Sequence, residues 1–131
     1  MKLTDILESI YNRSEMPQVS GSDLGDAVEM LKKNNIPVSM VELKPNQIKN
    51  SQKEINKGKV KNIVKDMRSG KKMPPCIISK DNWMVDGHHR NLAYQVESPD
   101  EMQKYIQIQL PRDQAIQIYG KIENLLQKRK R

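Results

Sequence analysis

Apolar positions in this chain follow two periods, and the switches between them lay out its elements. "TDILESIYN", residues 4–12, reads as a short helix with Thr4 placed to cap it, and "SEMPQVSGS" as a polar turn behind it. Ser22 opens a second helix, "DLGDAVEMLKKN", whose Leu24, Ala27, Val28 and Leu31 share one face before Asn34, Asn35 and Pro37 end it. "VSMVEL", 38–43, alternates as a strand and is closed by Lys44-Pro45. The most regular pattern is "GKVKNIVKDMRSG", 58–70, where Val60, Ile63, Val64 and Met67 take the i, i+3, i+4, i+7 spacing of a buried stripe. Lys59, Asn62 and Asp66 line the border of that stripe, and Gly70 stops the helix. "PPCIIS" then predicts an apolar strand entered through two prolines, "KDN" a turn, and "WMV" a short returning strand. The hairpin leads into Asp86-Gly87, after which "HHRNLAYQV" reads as a helix and "KYIQIQL", 104–110, as a strand. "RDQAIQIYGKIENLLQKRKR" closes the chain as a basic amphipathic helix with Ile116, Ile118, Ile122, Leu125 and Leu126 apolar. Strands and helices alternate without a repeat or the Gly-rich fingerprint of a dinucleotide-binding unit, which predicts one small α+β or mixed α/β domain.

Composition narrows this picture. A length of 131 residues suits a single modest core, and the absence of phenylalanine leaves that core to Ile, Leu, Val and Met. No run is long and apolar enough for a bilayer, so a cytoplasmic protein with no membrane partner is expected. The single cysteine, Cys76, excludes an internal disulfide and fits a reducing compartment; on an apolar strand it reads as a small buried hydrophobe. Trp83 reads either as core packing beside the hairpin turn or as a flank for a nucleotide base.

Charge is unevenly spread. Residues 44–80 carry 11 basic and 2 acidic side chains, a net of +9 out of +7 for the whole chain, with negative stretches on either side. The tail from 121 carries 5 basic and 1 acidic. Such a field gathers phosphates, although a solvated lysine-rich surface explains the same numbers.

The candidate chemistry lies in "MVDGHHRNLAYQ", 84–95, which holds both histidines of the chain. Asp86 is placed to cap the helix, and Gly87 allows a tight turn. The amides from Gly87 to Arg90 would be unpaired at the positive end of the helix dipole, a cradle for phosphate to which Arg90 adds a bidentate fork. His89 is expected to donate to a phosphate oxygen or to transfer a proton near neutral pH. Asp86 is a candidate general base or Mg²⁺ ligand. Zinc is disfavoured, since adjacent histidines diverge on a helix and the lone cysteine has no companion. The plain alternative is an ordinary Asp-Gly cap followed by exposed His and Arg.

The order of elements and the run "MPPCIISKDNWMVDGHHRNLAYQ" resemble the ParB/sulfiredoxin superfamily over roughly residues 38–110, and most of all its short phage-type "ParB-like nuclease domain" proteins. The resemblance implies a compact α+β domain with a small mixed sheet, flanked by a helical extension (1–37) and a basic C-terminal helix (111–131) in one structural unit. It also implies that the signature loop and helix start bind nucleotide phosphates. Sulfiredoxins, ATP-dependent sulfinic-acid reductases, carry Gly-Cys-His-Arg where this chain has Gly87, His88, His89 and Arg90. His89 and Arg90 match the phosphate-binding pair, whereas His88 replaces the catalytic cysteine and removes reductase activity. Lys59 and Asn62 match groups that sulfiredoxins offer to ATP, with Asp66 a departure. ParB partition proteins use CTP with Gly-Glu-Arg-Arg, of which only Gly87 and Arg90 remain, and no helix-turn-helix follows. ADP-dependent free-serine kinases share Asp-Gly-His-His-Arg, which would make Asp86 the base and His89 its catalytic or phosphate-contacting partner. Their glutamate after the first strand's Lys-Pro is Gln47 here, with Glu54 as the candidate substitute.

Three functions follow from these readings. The first is a nucleotide-binding phosphotransferase or hydrolase, taking ATP or ADP ahead of CTP together with Mg²⁺. In it Lys59, Asn62, Gly87, His88, His89 and Arg90 hold phosphate, while Asp86, His89 and Glu54 handle proton or metal. The second is a DNA- or RNA-binding module, nuclease or partition-type, using the 44–80 segment and the tail. The third is an adaptor or inhibitor that kept the fold and lost the chemistry. The resemblance implies phage or mobile-element origin in a bacterial host.

Overall fold

The computed structural model describes residues 21–50 and 55–129. The helix expected over 4–12 lies outside them, as do Glu54 and the last two basic residues of the tail. After a single 3-10 turn over Gly21–Asp23 come α1 (Leu24–Lys33), β1 (Val38–Leu43), α2 (Lys57–Arg68), β2 (Cys76–Ser79), β3 (Met84–Asp86), α3 (His88–Glu97), β4 (Gln103–Ile108) and α4 (Arg112–Arg129). The α+β expectation holds.

The helix boundaries have local causes. Asn35 takes φ 60°, the left-handed conformation that ends α1, and its neighbour Ile36 donates back to the Leu31 carbonyl at 3.0 Å. Asn56 caps α2, its side-chain oxygen accepting from the Lys59 amide at 3.0 Å. That helix therefore begins ahead of the residues its apolar stripe marks. The turn between β2 and β3 is held by Ser79 bonding Asp81, by the Asn82 amide on the Ser79 carbonyl at 3.0 Å, and by Asn82 at φ 65°.

The four strands lie in the order β1-β4-β2-β3. β1 runs antiparallel to β4, β4 parallel to β2, and β2 antiparallel to β3, with Ile106 opposite both Met40 and Ile77. Side chains alternate faces along each strand, so Ile77, Val85, Ile106 and Ile108 meet α1 and α4 on one side. Cys76, Ile78, Met84 and Tyr105 meet Ile48 and Tyr94 on the other. With helices on both faces, every residue of β2 is buried, which is why it reads as an unbroken apolar run. Lys49 adds a parallel bridge to Trp83 just ahead of β3: the Lys49 amide donates to Asn82 O at 2.9 Å, and Met84 donates to Lys49 O at 2.8 Å. This covers the outer edge of a very short strand. Trp83 sits half-buried at that edge, with Lys49 and Arg112 stacked 5.1 and 5.3 Å from its ring centre.

Two expectations about helix faces are corrected. In α2 only Val64 is buried; Val60, Ile63 and Met67 are half-exposed, because α2 rests on α3 rather than on the sheet. In α4 the buried face is Ala115, Ile116, Tyr119, Ile122 and Leu126, and Leu125 is exposed. No described helix is long and apolar enough to cross a membrane.

Candidate functional site

The signature residues gather where β3 gives way to α3. Gly87 stands between them as N-cap in a left-handed conformation, φ 106° and ψ 27°. Glycine is required there twice over. The backbone angle disfavours any side chain, and an added Cβ would lie 2.7 Å from Cys76 Sγ and 2.8 Å from Arg90 Nη2. The Gly87 carbonyl starts the helix by accepting the Asn91 amide at 2.9 Å, and it also accepts the Cys76 thiol at 3.6 Å. Burial pushes that thiol up to about 11, so Cys76 stays a neutral donor beneath the turn.

Asp86 is not the cap. It ends β3, and α3 receives no side-chain capping bond. The reason is register: pairing slips by one position between Ile77 and Ile78, so that Asp86 still pairs with Ile77 in the ladder. Its carboxylate is 6% exposed and accepts the Tyr119 hydroxyl at 3.3 Å on Oδ2. Arg90 Nη2 stands 3.8 Å from Oδ1. Burial, followed by the Asp86 charge and its hydrogen bond, raises the Tyr119 phenol far above its ordinary range and keeps it a donor. Arg90 is tethered at its other end, donating to the Pro74 carbonyl at 3.2 Å.

Both histidines are buried, each 5% exposed, in place of the exposed pair that an ordinary cap would leave. His89 accepts the Asn56 amide at 3.1 Å on Nε2, which places its own proton on Nδ1. Because Asn56 also caps α2, this bond ties the signature helix to the helix carrying Lys59. His88 is different: its Nε2 is buried and has no hydrogen-bond partner. Desolvation, with His89 next to it, lowers its pKa to about 3, so the ring is neutral near pH 7.

Asp86, Gly87, His88, His89 and Arg90 thus lie together at the turn into α3, and the backbone amide of Lys59, not its side chain, joins them through Asn56. Asn62 is exposed farther along α2, and Asp66 lies 3.7 Å from Lys71. Gln47 caps its own turn by accepting the Lys44 amide at 2.8 Å. That turn is nevertheless bound to α3, since Asn91 and Gln95 both donate to the Pro45 carbonyl at 3.2 Å. Asn91 in addition accepts the Tyr105 hydroxyl at 2.6 Å.

Of the supporting residues, Cys76 is the buried small side chain that its apolar strand predicted, whereas the roles of Asn56, Asn91 and Tyr119 were missed in the sequence. No cluster of three or more His, Cys, Asp or Glu able to hold a metal occurs among the described residues.

No family model and no curated protein matches this chain. Among solved structures, a Pnob8-like ParB-N domain superimposes with a TM-score of 0.54 at 14% sequence identity. The match covers 69% of this chain and 38% of that one. The likeness is one of fold: the described residues share the α+β fold of that ParB-N domain, as the order of elements implied.

Proposed function

We propose that this domain binds the phosphates of a nucleoside di- or triphosphate at the opening of α3, ATP or ADP ahead of CTP. The observation that carries the reading is His88 Nε2, a buried imidazole nitrogen without a partner in the first turn of a helix. Buried polar atoms rarely go unmatched, and a phosphate or ribose oxygen is the kind of partner a neutral ring can bond. The positive end of the α3 dipole, Arg90 in the same turn and the basic stretch over 44–80 all favour an anion there. Preference for adenine nucleotides rests on the signature, which departs from the Gly-Glu-Arg-Arg form associated with CTP.

Mg²⁺ fits only as an ion carried by the phosphates. Asp86 is the carboxylate adjoining the helix start, and because its two oxygens already face Tyr119 and Arg90 it would have to give up one of them to add a single ligand to a largely hydrated cation. Asp86 and His89 are both engaged, with Tyr119 and Asn56, and binding is therefore proposed ahead of phosphoryl transfer.

Calorimetry with ATP, ADP and CTP, with and without Mg²⁺, tests this. Adenine nucleotide should bind, and Lys59→Ala and His88→Gln should each weaken it by about tenfold, or about 1.4 kcal/mol. Absence of binding by all three at about 1 mM, where even a −4 kcal/mol interaction would register, removes the proposal.

A second reading, binding of DNA or RNA backbone, is favoured by the exposure of Lys44, Lys49, Lys71, Lys72 and Lys80 across the basic segment. A gel shift over a salt series decides it: affinity should fall steeply as salt rises, and no shift at low salt ends it.

A further inference from the structure

The exposed half of α2 faces an open groove that the phosphate site does not use. Together with α3, α2 encloses about 730 Å³ there. The floor is apolar, made by Ile55, Val60, Val64, Leu92 and Val96, of which Val96 is 66% and Ile55 47% exposed. Lys57, Lys61 and Lys65 follow one another at four-residue intervals along the rim, and Arg68 ends the row. Arg68 is held by Glu97 of α3 at 3.0 Å. Every charged residue of the lining is a cation.

We propose that this groove docks an amphipathic helix of a partner protein, apolar on one face and acidic along its flank. A trough between two helices is the seat that helix-in-groove recognition uses. The lysine spacing is about one helical turn, so it can meet an i, i+4 row of Glu or Asp lying alongside. Charge selects among the other occupants. A second copy meeting the same face would set lysines against lysines, which disfavours a symmetric dimer. Nucleic acid would suit the rim but not the floor, which has no aromatic ring for a base to stack on. The inference is independent of nucleotide binding at α3.

The test uses the full chain and a fluorescent peptide of about four helical turns with Leu at i, i+3, i+4 and i+7 and Glu on both flanks. Anisotropy should show saturable binding in the micromolar range. The same Leu pattern flanked by Lys should not bind. Lys61→Glu with Lys65→Glu, and separately Val96→Asp, should each weaken binding at least about tenfold, whereas Lys104→Glu, on β4, should leave it unchanged. Peptide binding that fails to saturate below about 1 mM, or that survives both groove variants, overturns the proposal. So does binding of a single-stranded oligonucleotide, in place of the peptide, that those variants abolish, or a concentration-dependent dimer lost in Val96→Asp.

Discussion

At Gly87 two constraints meet, a φ of 106° and a Cβ site already occupied by Cys76 sulfur. Gly87→Ala is therefore expected to destabilise the fold by about 1–3 kcal/mol, read as a lower urea midpoint with an unchanged slope. Adding Cys76→Ala should recover part of the loss, because it clears the sulfur and leaves the backbone angle as it was. His88 predicts a pH dependence. Its pKa falls from an ordinary 6.5 to about 3 on folding. Between those values the unfolded chain holds the extra proton, so stability is full above about pH 6.5 and declines as pH drops, by up to about 1.4 kcal/mol per unit. His88→Gln removes this contribution. The difference in unfolding free energy between pH 7 and pH 5 should then shrink by about 2 kcal/mol in urea titrations. An identical pH profile in the variant would mean that the ring is not held neutral.

Among elements, the turn after β1, helix α3 and strand β4 are pinned together by one side chain. Asn91 is fully buried, donates to Pro45 O and accepts from Tyr105. Asn91→Ala leaves the buried Tyr105 hydroxyl without its acceptor while the Pro45 carbonyl keeps Gln95, and about 1–3 kcal/mol of stability should be lost. Tyr105→Phe in the same chain should restore some of it, and the double-mutant cycle measures the coupling. The elements themselves were largely legible, since periods of two and 3.6 survive in a sequence of this kind. What failed to show was which face an element buries when its support is another helix. The α2 stripe looked like a core stripe because periodicity records apolarity, whereas the exposed lining of the groove depends on where α3 lies.

For the molecule as a whole, β2 has strands on both sides and packed side chains on both faces. Its amides, those of Ile77 and Ile78 above all, should exchange with solvent most slowly, near the rate set by global unfolding. Faster exchange there than in α2 would contradict the two-sided core. The proposed nucleotide binding would have a global signature too: a ligand at a hundred times its dissociation constant should add about 2.7 kcal/mol and raise the melting temperature, and His88→Gln should reduce that gain.

The sequence by itself determined the succession of helices and strands, the glycine at the turn into α3, the grouping of Asp86 with both histidines and Arg90, and the basic surface over 44–80. These depend on neighbours within a few positions, whose spacing is written in the chain. Only the tertiary structure decided that β2 lies beside β4 in parallel, that Asp86 bonds Tyr119 instead of capping, and that Asn56 anchors His89. Each of the last two bonds joins residues 33 positions apart. Such partners are set by strand order and register, which local periodicity does not carry, and that is why the burial of both imidazoles came into view only with the fold.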